Sequence, residues 1–160
     1  MRKDIYFDVT ITCRNCGQYN MQTKWTKGYE DFGDAYHIHK NVFVIEQNID
    51  EECEIDEYDA IALHLVVYDN EVPVATGRLF EHHDSFVIGR ICVIKEYRNI
   101  RLGSLLMEML IEEAITRKAK ELYLSSQVYA TGFYKKFGFS EYGDIYREAG
   151  IEHIAMVRKN

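Results

Sequence analysis

Apolar and polar residues alternate from the start of the chain. Ile5, Phe7, Val9 and Ile11 interleave with Tyr6, Asp8, Thr10 and Thr12, the period-two pattern of a strand with one buried face. "MQTKWTK", from Met21, reads as its hairpin partner. Between Tyr29 and Gln47 the period changes: Phe32, Ala35, Tyr36, His39, Val42 and Phe43 fall at helical spacing. A first helix is expected there, although Gly33 and several β-branched residues weaken it.

"NIDEECEIDEYD" carries seven acids between Asp50 and Asp59 and no base, so it reads as a solvated loop or a short irregular helix. "AIALHLVVY", "EVPVATGRLFE" and "SFVIGRICVI" follow as three antiparallel strands joined by short turns. Pro73 sits near its strand's start, where a missing N–H does least harm. Leu102, Leu105, Leu106, Met109, Leu110 and Ala114 give a second helix its apolar face. "ELYLSS" is a further strand, and "YATGFYKKF" is a short helix stopped by Gly138. "DIYREAGIEHIAMV" closes the chain as a hairpin around Ala149 and Gly150. Together these predict an α+β fold with a mixed sheet.

At 160 residues, the chain suits one domain with a full core, residues 1–160. Its 47% hydrophobic and 28% charged residues, with one proline, mark an ordinary globular protein. The formal charge of -7 argues against duplex nucleic acid as a partner. The start of the chain builds no apolar leader, and "AIALHLVVY" is too short to cross a bilayer, so a cytoplasmic protein without a membrane partner is expected. Cys13 and Cys16 form a C-x-x-C while Cys53 and Cys92 stand alone, so no zinc ribbon and no metal site are expected. The pair reads either as reduced thiols in a polar turn or as a redox or metal pair.

"EYRNIRLGSLLMEML" sets two arginines and a glycine in a loop that runs straight into the second helix. A helix start leaves backbone N–H groups without partners and adds partial positive charge. Backbone amides in "RNIRLGS" can surround a pyrophosphate, with Gly103 admitting close approach and Arg98 and Arg101 offsetting charge. The alternative is an exposed loop whose arginines meet water.

"ICVIKEYRNIRLGSLLM", "LYLSSQVYATGFYKKFGF" and "EAGIEHIAM", taken in order with "VFVIEQNIDEE" and "PVATGRL", resemble the GCN5-related N-acetyltransferase (GNAT) superfamily, in particular its ElaA-like branch. The resemblance spans roughly residues 36–158, leaving 1–28 as an N-terminal strand or hairpin outside its clearest part. It implies the GNAT fold, a mostly antiparallel mixed sheet flanked by helices, and transfer of acetyl from acetyl-CoA to a primary amine. The family's loop pattern, Arg/Gln-x-x-Gly-x-Gly/Ala, implies that Arg98, Asn99, Ile100, Arg101, Leu102, Gly103 and Ser104 bind the pyrophosphate. Arg101 replaces the first glycine, at a cost of about 1 kcal/mol if its backbone is left-handed.

The same resemblance implies that the backbone of Ile91, Cys92 and Val93 pairs with the pantetheine arm and points an N–H at the thioester oxygen. Gln127 stands where an amide often lies near the cofactor. Tyr134 matches the tyrosine that protonates the departing thiolate; its alternative is a core aromatic beside Phe133, Phe137 and Phe139. A protonated amine cannot attack a thioester, so a base is needed, and Glu46, His64, Glu148 and His153 are the candidates, Glu46 first. Cys92 offers an acyl-enzyme route, but a cysteine between Ile91 and Val93 reads as a small buried hydrophobe, which favours direct transfer in a ternary complex. The acidic run could draw in a cationic acceptor or be a charged surface loop. A non-catalytic acyl-CoA-binding or sensor module is the competing function, and exposed edge strands leave room for a homodimer.

Overall fold

In the computed structural model, which describes residues 6–160, the first alternation is strand β1 (Phe7–Cys13); Ile5 lies outside the described residues. β1 pairs antiparallel with β2 (Gly17–Lys27), as the sequence predicts. β3 (Leu63–Asp69), β4 (Val72–His82) and β5 (Ser85–Val93) extend the antiparallel sheet. β6 (Glu121–Gln127) joins β5 in parallel, and the closing hairpin of β7 (Ser140–Glu148) and β8 (Ile151–Lys159) completes the order β1-β2-β3-β4-β5-β6-β8-β7. Ala149 and Gly150 turn that hairpin with φ of 48° and 78°, the left-handed pair of a tight β-turn.

The first helix differs from its prediction at both ends. Tyr29–Phe32 form a turn; α1 covers Gly33–His39 and continues as a π-helical stretch, Lys40–Glu46, in which Gln47 N–H donates to Val42 O at 3.1 Å. Gly33 therefore opens the helix, where it costs little. α2 (Leu102–Thr116) buries Leu102, Leu106, Met107, Leu110, Ile111 and Ala114, while Leu105 and Met109 are only half-buried. Its buried stripe is rotated from the predicted one by Met107 and Ile111. α3 (Thr131–Lys135) is a single turn or so, ending before Gly138 at φ 87°.

Strand alternation splits the core. Leu65 and Val67 of β3 face the cluster under α2, while Val66 and Tyr68 face Phe32, Ala35, Ile38 and Val42 of the α1 segment. α2 lies so close to β4 that a Cβ on Gly77 would stand 2.8 Å from Leu110 Cδ1. The α1 face also holds a polar layer. Arg78 of β4 donates to both oxygens of Asp56 and to Asp59, each at 2.7 Å, and Asp59, His39 and His64 are fully buried. The acidic stretch is thus only partly the solvated loop read from sequence: Glu51–Cys53 form an exposed 3-10 turn, whereas Glu54 and Asp59 are interior. An arginine in the middle of an apolar strand needs interior counter-charge, and this stretch supplies it.

His39 sits beside Phe32, which also packs on His64 at 4.9 Å between ring centroids. Burial, reinforced by Arg90 and Arg78, pushes the His39 imidazole down to about 3, and burial lowers His64 as well. An unfolded histidine titrates near 6.5, so between those values the unfolded chain binds more protons. Stability is therefore complete above about pH 6.5 and is lost as pH falls towards 3. Urea unfolding at pH 7 and pH 5 should differ by about 2 kcal/mol on account of His39, and His39→Leu should flatten that difference; an unchanged slope in the variant contradicts it.

Candidate active site

β5 and β6 run parallel, yet their ladder holds only Phe86↔Leu122 and Val87↔Tyr123. Beyond those pairs the strands part. β5's register with β4 shifts opposite Thr76–Arg78, where Arg90 has a φ of 53°, and such a bulge bends its strand away from a neighbour. Gly89–Val93 and Leu124–Gln127 therefore flank a wedge in which main-chain groups lack strand partners and require another donor or acceptor. Arg90 fixes the bulge by donating to Cys53 O at 3.1 Å and Glu54 O at 3.3 Å, with Asp56 at 3.4 Å. The signal for this clamp was a charge inside the apolar run "SFVIGRICVI".

At the wedge's mouth, Asn99 and Arg101 are left-handed, with φ of 68° and 71°, and Arg101 immediately precedes α2, whose first turn no side chain caps. The amides of Leu102, Gly103 and Ser104 start a helix of fifteen residues, an anion-binding arrangement. Gly103 is not left-handed: a Cβ there would come within 3.3 Å of Phe133 Cζ, so its role is close packing against α3. Arg98 already has partners within the protein. Its guanidinium grips Glu46 through two bonds of 2.6 Å and donates to Val93 O at 3.0 Å, whereas Arg101 makes no ion pair among the described residues.

Gln127 closes the far side of the wedge, donating to Gln47 Oε1 at 2.9 Å and accepting from Tyr129 OH. Tyr134 packs edge-on to Phe133, and burial pushes its phenol up, so it holds its proton through the neutral range. Burial likewise pushes the Cys92 thiol up; at 5% exposure it packs with Val42 and Tyr68.

The four candidate bases fare differently. Glu46, the first choice from sequence, is held below the usual carboxylate range by its bonds from Arg98, which makes it a poor proton acceptor. His64 is fully buried, its Nε2 at 3.1 Å from Asp59 O. His153 lies directly across β6–β8 from Gln127 and across β8–β7 from Tyr146. A carbonyl only accepts, so His153 Nδ1–H donates to Ile151 O at 2.8 Å, and Nε2, 4.0 Å from Glu148, is the ring nitrogen left for another partner. Ser125 Oγ meets Tyr146 OH and lies 3.4 Å from Glu148 Oε2. Sequence reasoning missed Ser125 and Tyr146, because only strand register brings them beside His153. α1 packs on β3, β4 and β5, whereas every residue of β7 is exposed, so this polar strip remains open.

Residues 29–159 match a family model described as an acetyltransferase (GNAT) domain. The chain belongs to the GNAT family. Members use acetyl-CoA as the acetyl donor. The uncharacterized N-acetyltransferase YjcF of Bacillus subtilis is 36% identical over 139 residues, 86% of this chain and 99% of that protein. Among solved structures, an acyl-CoA N-acyltransferase from Pseudomonas aeruginosa superposes with a TM-score of 0.76 at 29% identity, covering 85% of this chain and 99% of that one. Escherichia coli ElaA gives 0.76 at 28%, covering 86% and 99%. The GNAT match begins after β2, so the β1–β2 hairpin lies outside it.

Two substitutions separate structure from site. Asp59→Ala leaves Arg78 short of a buried counter-charge and should lower unfolding free energy by about 3–5 kcal/mol; a loss under 1 kcal/mol would contradict the interior placement. Arg101→Gly relieves a left-handed side chain and should raise stability by about 1 kcal/mol while weakening acetyl-CoA binding. Thermal melts and calorimetry on the same sample read the two opposite signs, and a loss of both contradicts the assignment.

Proposed function

We propose that this protein transfers the acetyl group of acetyl-CoA to a primary amine of a small molecule or peptide by direct attack within a ternary complex. The observation that carries this is the wedge between β5 and β6 opening onto an uncapped helix start. Leu102, Gly103 and Ser104 amides, with Arg101 beside them, suit the pyrophosphate. The main-chain groups of Ile91, Cys92 and Val93 that turn into the wedge can then pair with the pantetheine arm like a missing strand. An N–H of that segment stabilises the oxygen that becomes negative as the amine adds. Gln127, tied to Gln47 and Tyr129, holds the opposite lip.

His153 is the base this geometry favours among the candidates. Its Nε2 takes a proton from the acceptor ammonium, and Glu148 stabilises the imidazolium that results. Tyr134 keeps its proton at neutral pH and is the proposed donor to the leaving thiolate, an uphill step that burial of the phenol makes steeper. Cys92, buried and held as a thiol, is a weak nucleophile, which supports direct transfer over an acyl-enzyme. The acidic run is an unconvincing lure for a cation, since Asp56 and Asp59 are matched by Arg78 and Glu51 by Lys40. Glu148, 55% exposed on the open strip, is better placed to meet an ammonium.

Release of free CoA thiol, followed with a panel of primary amines, tests this reading. Tyr134→Phe and His153→Gln should each lower kcat about a hundredfold or more with acetyl-CoA Kd unchanged. Tight acetyl-CoA binding with no turnover on any amine would instead favour a sensor module.

A further inference from the structure

The tip of the β1–β2 hairpin carries two thiols that the reaction above does not use. Cys13 ends β1 opposite Gly17, which has a φ of 99°, and Arg14, Asn15 and Cys16 make the turn between them. Both thiols are free, with Cys16 exposed and Cys13 half-buried. They act on each other: interaction with Cys16 lowers the Cys13 thiol below its ordinary range, and interaction with Cys13 raises Cys16. Two cysteines three residues apart across a tight turn have Cα atoms within about 7 Å, a span that overlaps the ~4.4–6.8 Å of a disulfide.

This tip also touches the cofactor loop. Cys13 Sγ lies 3.9 Å from Asn99 O, between Arg98 and the left-handed Arg101. Thr10, Ile11 and Thr12 of β1 share a surface groove with Arg101, Ser104, Leu105 and Glu108 at the start of α2. The hairpin thus leans on the anion cradle from outside the GNAT-matched residues.

We propose that Cys13 and Cys16 form a thiol–disulfide exchange site whose reactant is a low-molecular-weight disulfide, and that its state is felt at the cradle through Asn99. The coupling, though not the exchange, rests on the reading of that cradle as the acetyl-CoA site. Cys13 thiolate attacks one sulfur of the reactant disulfide, whose S–S bond breaks, and the first thiolate leaves with the proton Cys13 gave up. Cys16 thiolate then attacks Cys13 Sγ, expelling the second thiolate, which takes the proton from Cys16. The protein loses two electrons and two protons to a Cys13–Cys16 disulfide, and one reactant disulfide becomes two thiols. Closing the bond draws Cys13 Sγ to about 2.05 Å from Cys16 and removes its S–H from Asn99 O, which loosens the loop that presents the amides.

The experiment equilibrates Cys53→Ser protein, which lacks the other exposed thiol, in glutathione buffers of graded ratio of reduced to oxidised form. Peptide mass mapping should find Cys13 joined to Cys16 reversibly, and acetyl-CoA Kd by calorimetry should rise about fivefold or more in the oxidised form, the low end of ordinary coupling between sites. Adding Cys16→Ser should trap glutathione on Cys13, whereas adding Cys13→Ser should abolish oxidation of the pair. Glutathione adducts without the internal disulfide overturn the exchange site, and a disulfide with unchanged Kd overturns the coupling. If the reduced protein binds no acetyl-CoA, the cradle reading fails, and the coupling with it, while the mapping still decides the exchange site.

Discussion

A parallel strand pair that stops pairing after two residue pairs imposes a debt on the backbone, because each peptide left facing the gap still needs a hydrogen-bond partner. The rest of the molecule is arranged around keeping that gap open rather than letting it collapse. The bulge at Arg90 turns β5 aside, and the Arg90 guanidinium ties the bulge to the carbonyls of Cys53 and Glu54. Arg98 holds the strand's last carbonyl, at Val93, and anchors the end of the π-helical stretch through Glu46. Gln47, the next residue, reaches across to Gln127 on β6. Both lips of the wedge are therefore fixed by side chains, and the occupant proposed for its interior is the extended, amide-bearing arm of acetyl-CoA.

Charge in this protein works mostly inward. Removing Arg78, Asp56 and Asp59 from water is costly, and their mutual bonds at 2.7 Å offset that cost only while all three remain. That layer gives the stretch before β3 a defined path, and through Asp56 it also supports Arg90. A net charge of -7 thus says little about the acceptor, since several acids of the densest acidic segment already have partners. On the proposed reading the carboxylate that meets an incoming amine is Glu148, on a strand that sequence alone marked only as half of a hairpin.

Element type and order were legible where local rules decide them. Alternation gave β1 and the three strands from Leu63 to Val93, and the Ala149–Gly150 turn announced the last hairpin. The strand-loop-helix context of Arg98–Ser104 was legible too. The uses of particular side chains were not, because they depend on partners far along the chain: Arg98 meets Glu46 over 52 residues, and Gln127 meets Gln47 over 80. The π-helical stretch after His39 was hidden because His39, Val42 and Phe43 satisfy an α-helical period as far as the apolar pattern runs. His153 could be named from sequence, but its free Nε2 and its neighbours follow from strand register and the Ile151 carbonyl.

On the proposed reading, acetyl-CoA completes the main chain that faces the β5–β6 wedge. Amide hydrogen exchange resolved to single residues across Gly89–Val93 and Leu124–Gln127, with and without saturating acetyl-CoA, addresses it most directly. Amides of Ile91–Val93 that turn into the wedge should exchange quickly in the free protein and become strongly protected with acetyl-CoA, while Phe86 and Val87 stay protected throughout. Equal protection of the wedge residues in both states would show that acetyl-CoA does not pair with them.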